Sequence, residues 1–352
     1  MVCNKRRRTS TSTDAGISDL FDGLPDDLVV VVLGKLSAAA SSPSDIVNVM
    51  ITCKRFNRLA LHPFVLKKAG PKVFEIQTIN WSESTHRFLK LCVSAGNVEA
   101  CYTLGMVRIE FYCLKNRGSG ASLMAKAAIK SHPLALYSLA IVQFNGSGGS
   151  KSDKNLRAGV ALCGRAAYLG HIDALRELGH CLQDGYGVAQ NASEGRRLLI
   201  EANARELASI TNSSLLRLHC CGDRPPATDS SESLLSDFGC KFPAPETHPA
   251  NQFLRDWFAS GRGFIAEGLR LCSNSGCGRP ETRLHEFRRC SVCGNVNYCS
   301  RGCQALDWKL RHKTECAPFD RWLIEDDDLE GDDDGDVNRI EQLEDGEDVE
   351  SE

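Results

Sequence analysis

Residues 164–188, "GRAAYLGHIDALRELGHCLQDGYGV", carry the pattern on which the fold turns. Within them "ALRELG" (174–179) has two earlier counterparts, "ACYTLG" (100–105) and "ALYSLA" (135–140), so the pattern returns after 35 and then 39 residues. Each copy is followed by a Gly-rich or polar turn and then by an Ala-rich stretch: "AKAAIK", "GRAAYLG" and "LIEANARE". Small residues at a crossing let paired helices approach closely. A period of this length belongs to a helical solenoid, in which each pair covers the apolar face of its neighbour. The pattern predicts helical repeats over residues 81–208, with two clear units and one degenerate one.

The stretch resembles a Sel1-like repeat, a relative of the tetratricopeptide repeat. The resemblance implies either a face that receives a protein segment or a scaffold. "NGSGGSKS" (145–152) lacks the G-x-x-x-x-G-K-[ST] spacing of a phosphate loop and reads as an inter-helix turn. A chain of 352 residues has room for two or three domains. Its longest aliphatic run, Leu28 to Leu33, is far too short for a bilayer. The N-terminus is polar and basic with no apolar segment behind it, so no secretory signal is expected. An intracellular chain keeps its 17 cysteines as thiols or metal ligands rather than disulfides. From Glu325 to Glu352 there are 16 acidic residues and one basic residue, Arg339, which leaves a positive body and a strongly negative tail. Such a run repels itself, so residues 317–352 read as a disordered acidic tail. Residues 1–18 read as a disordered basic N-terminus in which Lys5 to Arg8 resembles a nuclear-import cluster.

In "LPDDLVVVVLGKLSAAASSPSDIVNVMITCKRFNRLA" (24–60), "LVVVV" alone favours a strand. Its surroundings predict a helix. Pro25 suits a first turn, Asp26 and Asp27 suit the positive end of the dipole, and Leu28, Val32 and Leu36 recur every four residues. "SAAASSPSD" reads as a loop, with Ser44 or Asp45 capping a second helix, and "CKRFNRLA" adds Phe56 and Leu59. Three such short helices make a weak core and leave a patch for a partner. "LPDDL", Val32, Leu36 and "CKRFNRLA" resemble an F-box, over residues 19–68, with a longer Ala/Ser-rich joint than the family pattern. The resemblance implies docking on a Skp-type adaptor that joins a cullin ubiquitin ligase, through Leu24, Pro25, Leu28, Val32, Leu36 and Leu59.

The C-terminal third holds Cys272-x4-Cys277-x12-Cys290-x2-Cys293-x5-Cys299-x3-Cys303-x8-His312-x3-Cys316. Eight thiolate and imidazole ligands make two complete tetrahedral zinc sites, with no position left open for a catalytic water. Ser300 caps a helix expected from Arg301 to about Arg311. Cys303 at its start and His312 at its end are then about 13 Å apart, too far for one ion. The ligands therefore interleave: Cys272, Cys277, Cys299 and Cys303 for one zinc, and Cys290, Cys293, His312 and Cys316 for the other. Order and spacing resemble the cross-braced MYND-type zinc finger over residues 272–316, with a wider first gap than usual. His285 falls outside the series. Gln304 and Trp308 share a helix face. The resemblance implies that these two and Tyr298 line a groove for short proline-containing peptides. Arg301, Lys309, Arg311 and Lys313 are dispersed among acidic neighbours such as Asp307 and Glu315, so nucleic acid is not an expected partner.

The expected architecture is mainly α: an F-box helical motif, a short α-solenoid, a linker over 209–250, a connecting amphipathic helix in 251–271, a small two-zinc finger and disordered termini. No nucleophile–base pair is visible. The order of segments resembles a small group of plant F-box proteins. This implies a non-catalytic substrate receptor of a ubiquitin ligase, with two structural Zn²⁺ ions, an unidentified protein substrate, no membrane, and a place in the nucleus and/or cytoplasm. Two alternatives remain. One is a nuclear scaffold that recruits proline-containing motifs. The other is a MYND-containing methyltransferase, which requires a β-rich domain where residues 70–270 read as helical.

Overall fold

The computed structural model describes residues 21, 23–111, 117–221 and 246–318. The basic N-terminus with Lys5 to Arg8, most of the expected linker and the acidic tail lie outside the described residues. The chain opens with four helices, α1 (Asp26–Ala39), α2 (Pro43–Thr52), α3 (Lys54–Ala60) and α4 (Pro63–Lys68). The "LVVVV" run is helical, because its residues alternate between two fates around α1. Val29, Val30 and Leu33 are buried with Leu59, Ala60 and Val65, while Leu28, Val31, Val32 and Leu36 face out. The expected long joint is absent. Its alanines, the strongest helix formers, extend α1 to Ala39 and leave only a short turn. The next helix starts at Pro43, and the Asp45 carboxylate accepts from the backbone N–H groups of Ser41 (2.7 Å) and Ser42 (3.2 Å).

Short 3-10 turns lead into the repeats: α5 (Glu83–Ser94), α6 (Val98–Phe111), α7 (Arg117–Ile129), α8 (Pro133–Asn145), α9 (Leu156–Tyr168), α10 (Ile172–Asp184) and α11 (Ala192–Cys221). The repeating motifs start α6, α8 and α10. Their shared alanines, Ala100, Ala135 and Ala174, are wholly buried where neighbouring helices cross. At the crossing of α10 and α11, Gly179 and Gly195 bring the backbones so close that a Cβ on Gly195 would lie 2.6 Å from the Gly179 carbonyl oxygen. The joint between repeats is also repeated. Tyr102 stacks on His132 (centroids 4.9 Å) and Tyr137 on His171 (4.6 Å), and each histidine Nδ1 accepts a backbone N–H to cap the following helix. In the third unit Arg176 stands where the tyrosines stood.

The helix α11 runs to Cys221, well into the stretch read as linker, since no glycine or proline interrupts the sequence between Gly195 and Gly222. After the undescribed residues comes α12 (Pro249–Ala259), which buries Phe253 and Leu254 and packs on α6. Then come a two-stranded antiparallel hairpin, β1 (Arg288–Arg289) and β2 (Asn297–Tyr298), and α13 (Arg301–Asp307). One hydrophobic cluster runs through Tyr102, Leu136 and Ala174 of the repeats and through Cys272, Phe287, Tyr298 and Cys299 of the finger. Repeats and finger thus share a core. No described helix is long and apolar enough to cross a membrane.

Candidate metal centre and its seat on the repeats

Two groups of ligand atoms converge in the finger: Cys272, Cys277, Cys299 and Cys303, and Cys290, Cys293, His312 and Cys316, each with all four atoms within 4.8 Å of one another. In the first, Cys299 Sγ lies 3.6 Å from the sulfurs of Cys277 and Cys303. In the second, Cys290 and Cys316 Sγ are 3.9 Å apart and Cys293 Sγ is 3.5 Å from His312 Nε2. A tetrahedral zinc with Zn–S bonds of about 2.3 Å has S···S edges of about 3.8 Å, and edges to nitrogen are slightly shorter. The donor sets and spacings fit Zn²⁺, and each cluster is able to bind one ion. Four protein ligands complete each shell, which is the arrangement of a structural site.

Local structure aims these ligands. Ser300 Oγ accepts from Cys303 N (3.1 Å) and starts α13 with Cys303 in its first turn. Beyond Asp307 the helix widens into a π-turn over Trp308–His312, and this carries His312 round to Cys293. A residue inserted in this way re-aims a side chain at a functional position. The wide first gap, Cys272-x4-Cys277, is braced from outside the finger. Asn251 Nδ2 donates to Cys277 O (2.8 Å) and Arg255 Nη1 to Ser275 O (3.2 Å), both from α12.

The finger sits on the face made by α6, α8 and α10. Arg279 donates to Ser138 (2.6 Å), Asn145 Nδ2 to Cys299 O (2.9 Å), and Arg283 to the last carbonyls of α8. Glu177, buried on α10, accepts Arg301 N (2.9 Å) at the positive end of α13. Where Arg176 replaces the repeat tyrosine, it meets Glu206 (2.9 Å), which also holds Lys309 of the finger (2.8 Å). Gly302 is required at the contact, since a Cβ there would lie 2.8 Å from Tyr137 Oη. Sequence reading missed this seat. Its one local signal is the break in the Tyr, Tyr, Arg series. Between the two parts lies a cleft of about 310 Å³ lined by Leu134 and Tyr137 of the repeats and Leu306 and Leu310 of the finger.

Two expected roles are corrected. Tyr298 has no exposed surface, and its hydroxyl donates to Asp307 Oδ2 (2.7 Å); it is a core residue and cannot line an open groove. Gln304 and Trp308 are half-buried, the indole lying edge-on to His312 (centroids 5.7 Å). Leu59 likewise belongs to the core of the first four helices, at 5% exposure. Of the other expected adaptor contacts, Leu28 is 48% exposed, Val32 and Leu36 stand beside it in the open, Pro25 is exposed and Leu24 is half-buried. The exposed apolar surface also includes Val31, Val47 and Ile51, which the four-residue spacing of α1 did not reveal.

Family comparisons agree with the modules. Residues 72–161 match the model of plant tetratrico peptide repeats, and residues 272–316 that of the MYND finger. F-box protein At1g67340 of Arabidopsis thaliana is 64% identical over 323 residues, covering 89% of this chain and 85% of that protein. F-box protein At5g50450, from the same plant, is 61% identical over 320 residues, covering 91% and 92%. The chain belongs to the F-box protein family. Among solved structures, a Sel1 repeat protein from Oxalobacter formigenes has 24% identity and a TM-score of 0.31, covering 34% of this chain and 89% of that one. In this F-box protein, plant tetratrico peptide repeats at 72–161 precede a MYND finger at 272–316.

Proposed function

We propose that this F-box protein is a non-catalytic substrate receptor of an SCF-type cullin ubiquitin ligase. The first helices hold a Skp-type adaptor, and the fused repeats and finger hold a target protein. Catalysis, by proximity, then belongs to other subunits. One observation carries the reading. A unit of four short helices buries one side of α1 and leaves Leu28, Val31, Val32 and Leu36 exposed in a row, in a chain of the F-box family. A contiguous apolar surface of this kind on a small helical unit marks a docking site. The shared core and the cleft between repeats and finger support a single target-binding body. The cluster at Lys5 to Arg8 supports a place in the nucleus and/or the cytoplasm.

The test is a pull-down of purified Skp-type adaptor by the full chain, beside Leu28→Asp and Val32→Asp. Both positions are exposed, so the variants are expected to fold, keep their zinc and lose the adaptor at least tenfold. Retention of no adaptor by the parent, or equal retention by both variants, ends the ligase reading.

A further inference from the structure

At the far end of α10 the finger brings two arginines together. Arg288 stands on β1, paired in register with Tyr298, and Arg301 begins α13 three residues beyond that partner. The Arg301 guanidinium lies over the Tyr186 ring, 5.6 Å from its centroid, and its Nη2 donates to Asp184 (2.7 Å). Its Nη1 is buried and has no acceptor among the described residues. Arg288 is exposed on β1 and makes no hydrogen bond or ion pair among the described residues. The acidic groups facing the pair, from α10, are already engaged. Glu177 accepts the Arg301 backbone N–H, and Asp184 takes Arg301 Nη2. The remaining neighbours, Cys181 and Tyr186, supply no charge to it. The two arginines, balanced in charge by Glu177 and Asp184, keep unpaired N–H donors at this junction, and guanidinium forks of this kind suit a planar or tetrahedral oxyanion.

We propose that Arg288 and Arg301, with Tyr186 beneath, form an anion-binding notch that takes a carboxylate or phosphoryl group presented by a partner protein. Arg288 is reached directly from solvent. Arg301, whose side chain is 15% exposed, meets the anion through a small rotation that frees Nη1 while Asp184 keeps Nη2. The notch lies on the finger–repeat junction and does not depend on the adaptor surface, so it stands or falls apart from the ligase reading.

The experiment uses the zinc-loaded full chain and two labelled ten-residue peptides, one rich in glutamate and one neutral except for a single phosphoserine. Binding is read by fluorescence anisotropy. Arg288→Ala and Arg301→Lys are expected to weaken binding at least tenfold with zinc content and helicity unchanged. Arg289→Ala, whose side chain leaves the strand on the opposite face, is expected to stay within twofold. Whichever peptide binds more tightly identifies the anion, and either preference supports the notch. It is overturned if neither peptide binds below millimolar concentration, if Arg288→Ala binds as the parent does, or if Arg289→Ala loses as much as Arg288→Ala.

Discussion

Loss of one zinc ligand should loosen helices that carry no ligand at all. Cys299→Ser removes a donor from the first cluster and weakens a site of a kind that contributes on the order of 10 kcal/mol to folding. The finger is also the seat-mate of α8 and α10. Arg279 on Ser138, Asn145 on Cys299 O, Gly148 N on Thr282, Glu177 on Arg301 N and Lys309 on Glu206 all depend on its folded shape. At about 1 kcal/mol net for each such bond, the face of the repeats loses on the order of 5 kcal/mol, more than a thousandfold in a local opening equilibrium. Hydrogen exchange by mass spectrometry, with zinc counted by elemental analysis, reads this directly. The expected variant holds about one zinc per chain fewer than the parent. Amides of the finger, α8 and α10 exchange faster, and those of α1 to α4 are unchanged. Were the finger to exchange freely while α10 kept its parental protection, the argument that finger and repeats share one core would be wrong.

Replacing Glu206 by Gln removes the carboxylate shared by two buried cations, leaving Arg176 with Asp173 (3.3 Å) and Lys309 with only the Asn203 amide oxygen (3.3 Å), and should cost about 3 kcal/mol in denaturant unfolding, whereas Lys309→Met leaves the Arg176–Glu206 pair intact and should cost about 1 kcal/mol. Leu136→Ala, at a fully buried site in α8, should cost about 2–5 kcal/mol by the same measurement. Tyr298→Phe should lower stability by about 1 kcal/mol through the lost bond to Asp307 and leave peptide binding unaltered; a selective binding loss would restore the tyrosine to a groove. Burial raises the pKa of Glu99, but hydrogen bonds from His132 and His248 outweigh it and hold the group at about 2. A depressed carboxylate stabilises the fold above its unfolded value and loses that contribution as pH falls from about 4.5 to about 2. Burial likewise holds His171 at about 4, so the fold favours its neutral form and loses that preference as pH falls from about 6.5 to about 4. Urea midpoints should therefore fall through both windows. Glu99→Gln should flatten the lower one and His171→Asn the upper.

Several features of this chain lie in local sequence. The repeat period places Ala100, Ala135 and Ala174 at crossings because one helical pair cannot cover itself and small residues must recur where backbones meet. The ligand spacing separates eight donors into two sets because helix rise keeps Cys303 from sharing an ion with His312. The Ala/Ser stretch after Lys35 misled as a joint. Its serines suggested a loop, but the alanines among them propagate a helix already nucleated by Pro25 and the two aspartates.

What the tertiary structure alone decided is which face of each element is taken. Tyr298 and Leu59 occupy positions that a family pattern makes candidates for contact, yet each is buried by chain distant in sequence or by the next turn of its own unit. One face of the repeats is covered by the chain's own finger, through Ser138, Glu177 and Glu206. No local pattern encodes that docking, since the bonds join residues more than a hundred positions apart and each residue, read alone, is an ordinary polar side chain on a helix. Periodicity and ligand spacing report short-range geometry. Burial and pairing at a distance depend on how whole elements pack, and only the folded chain shows them.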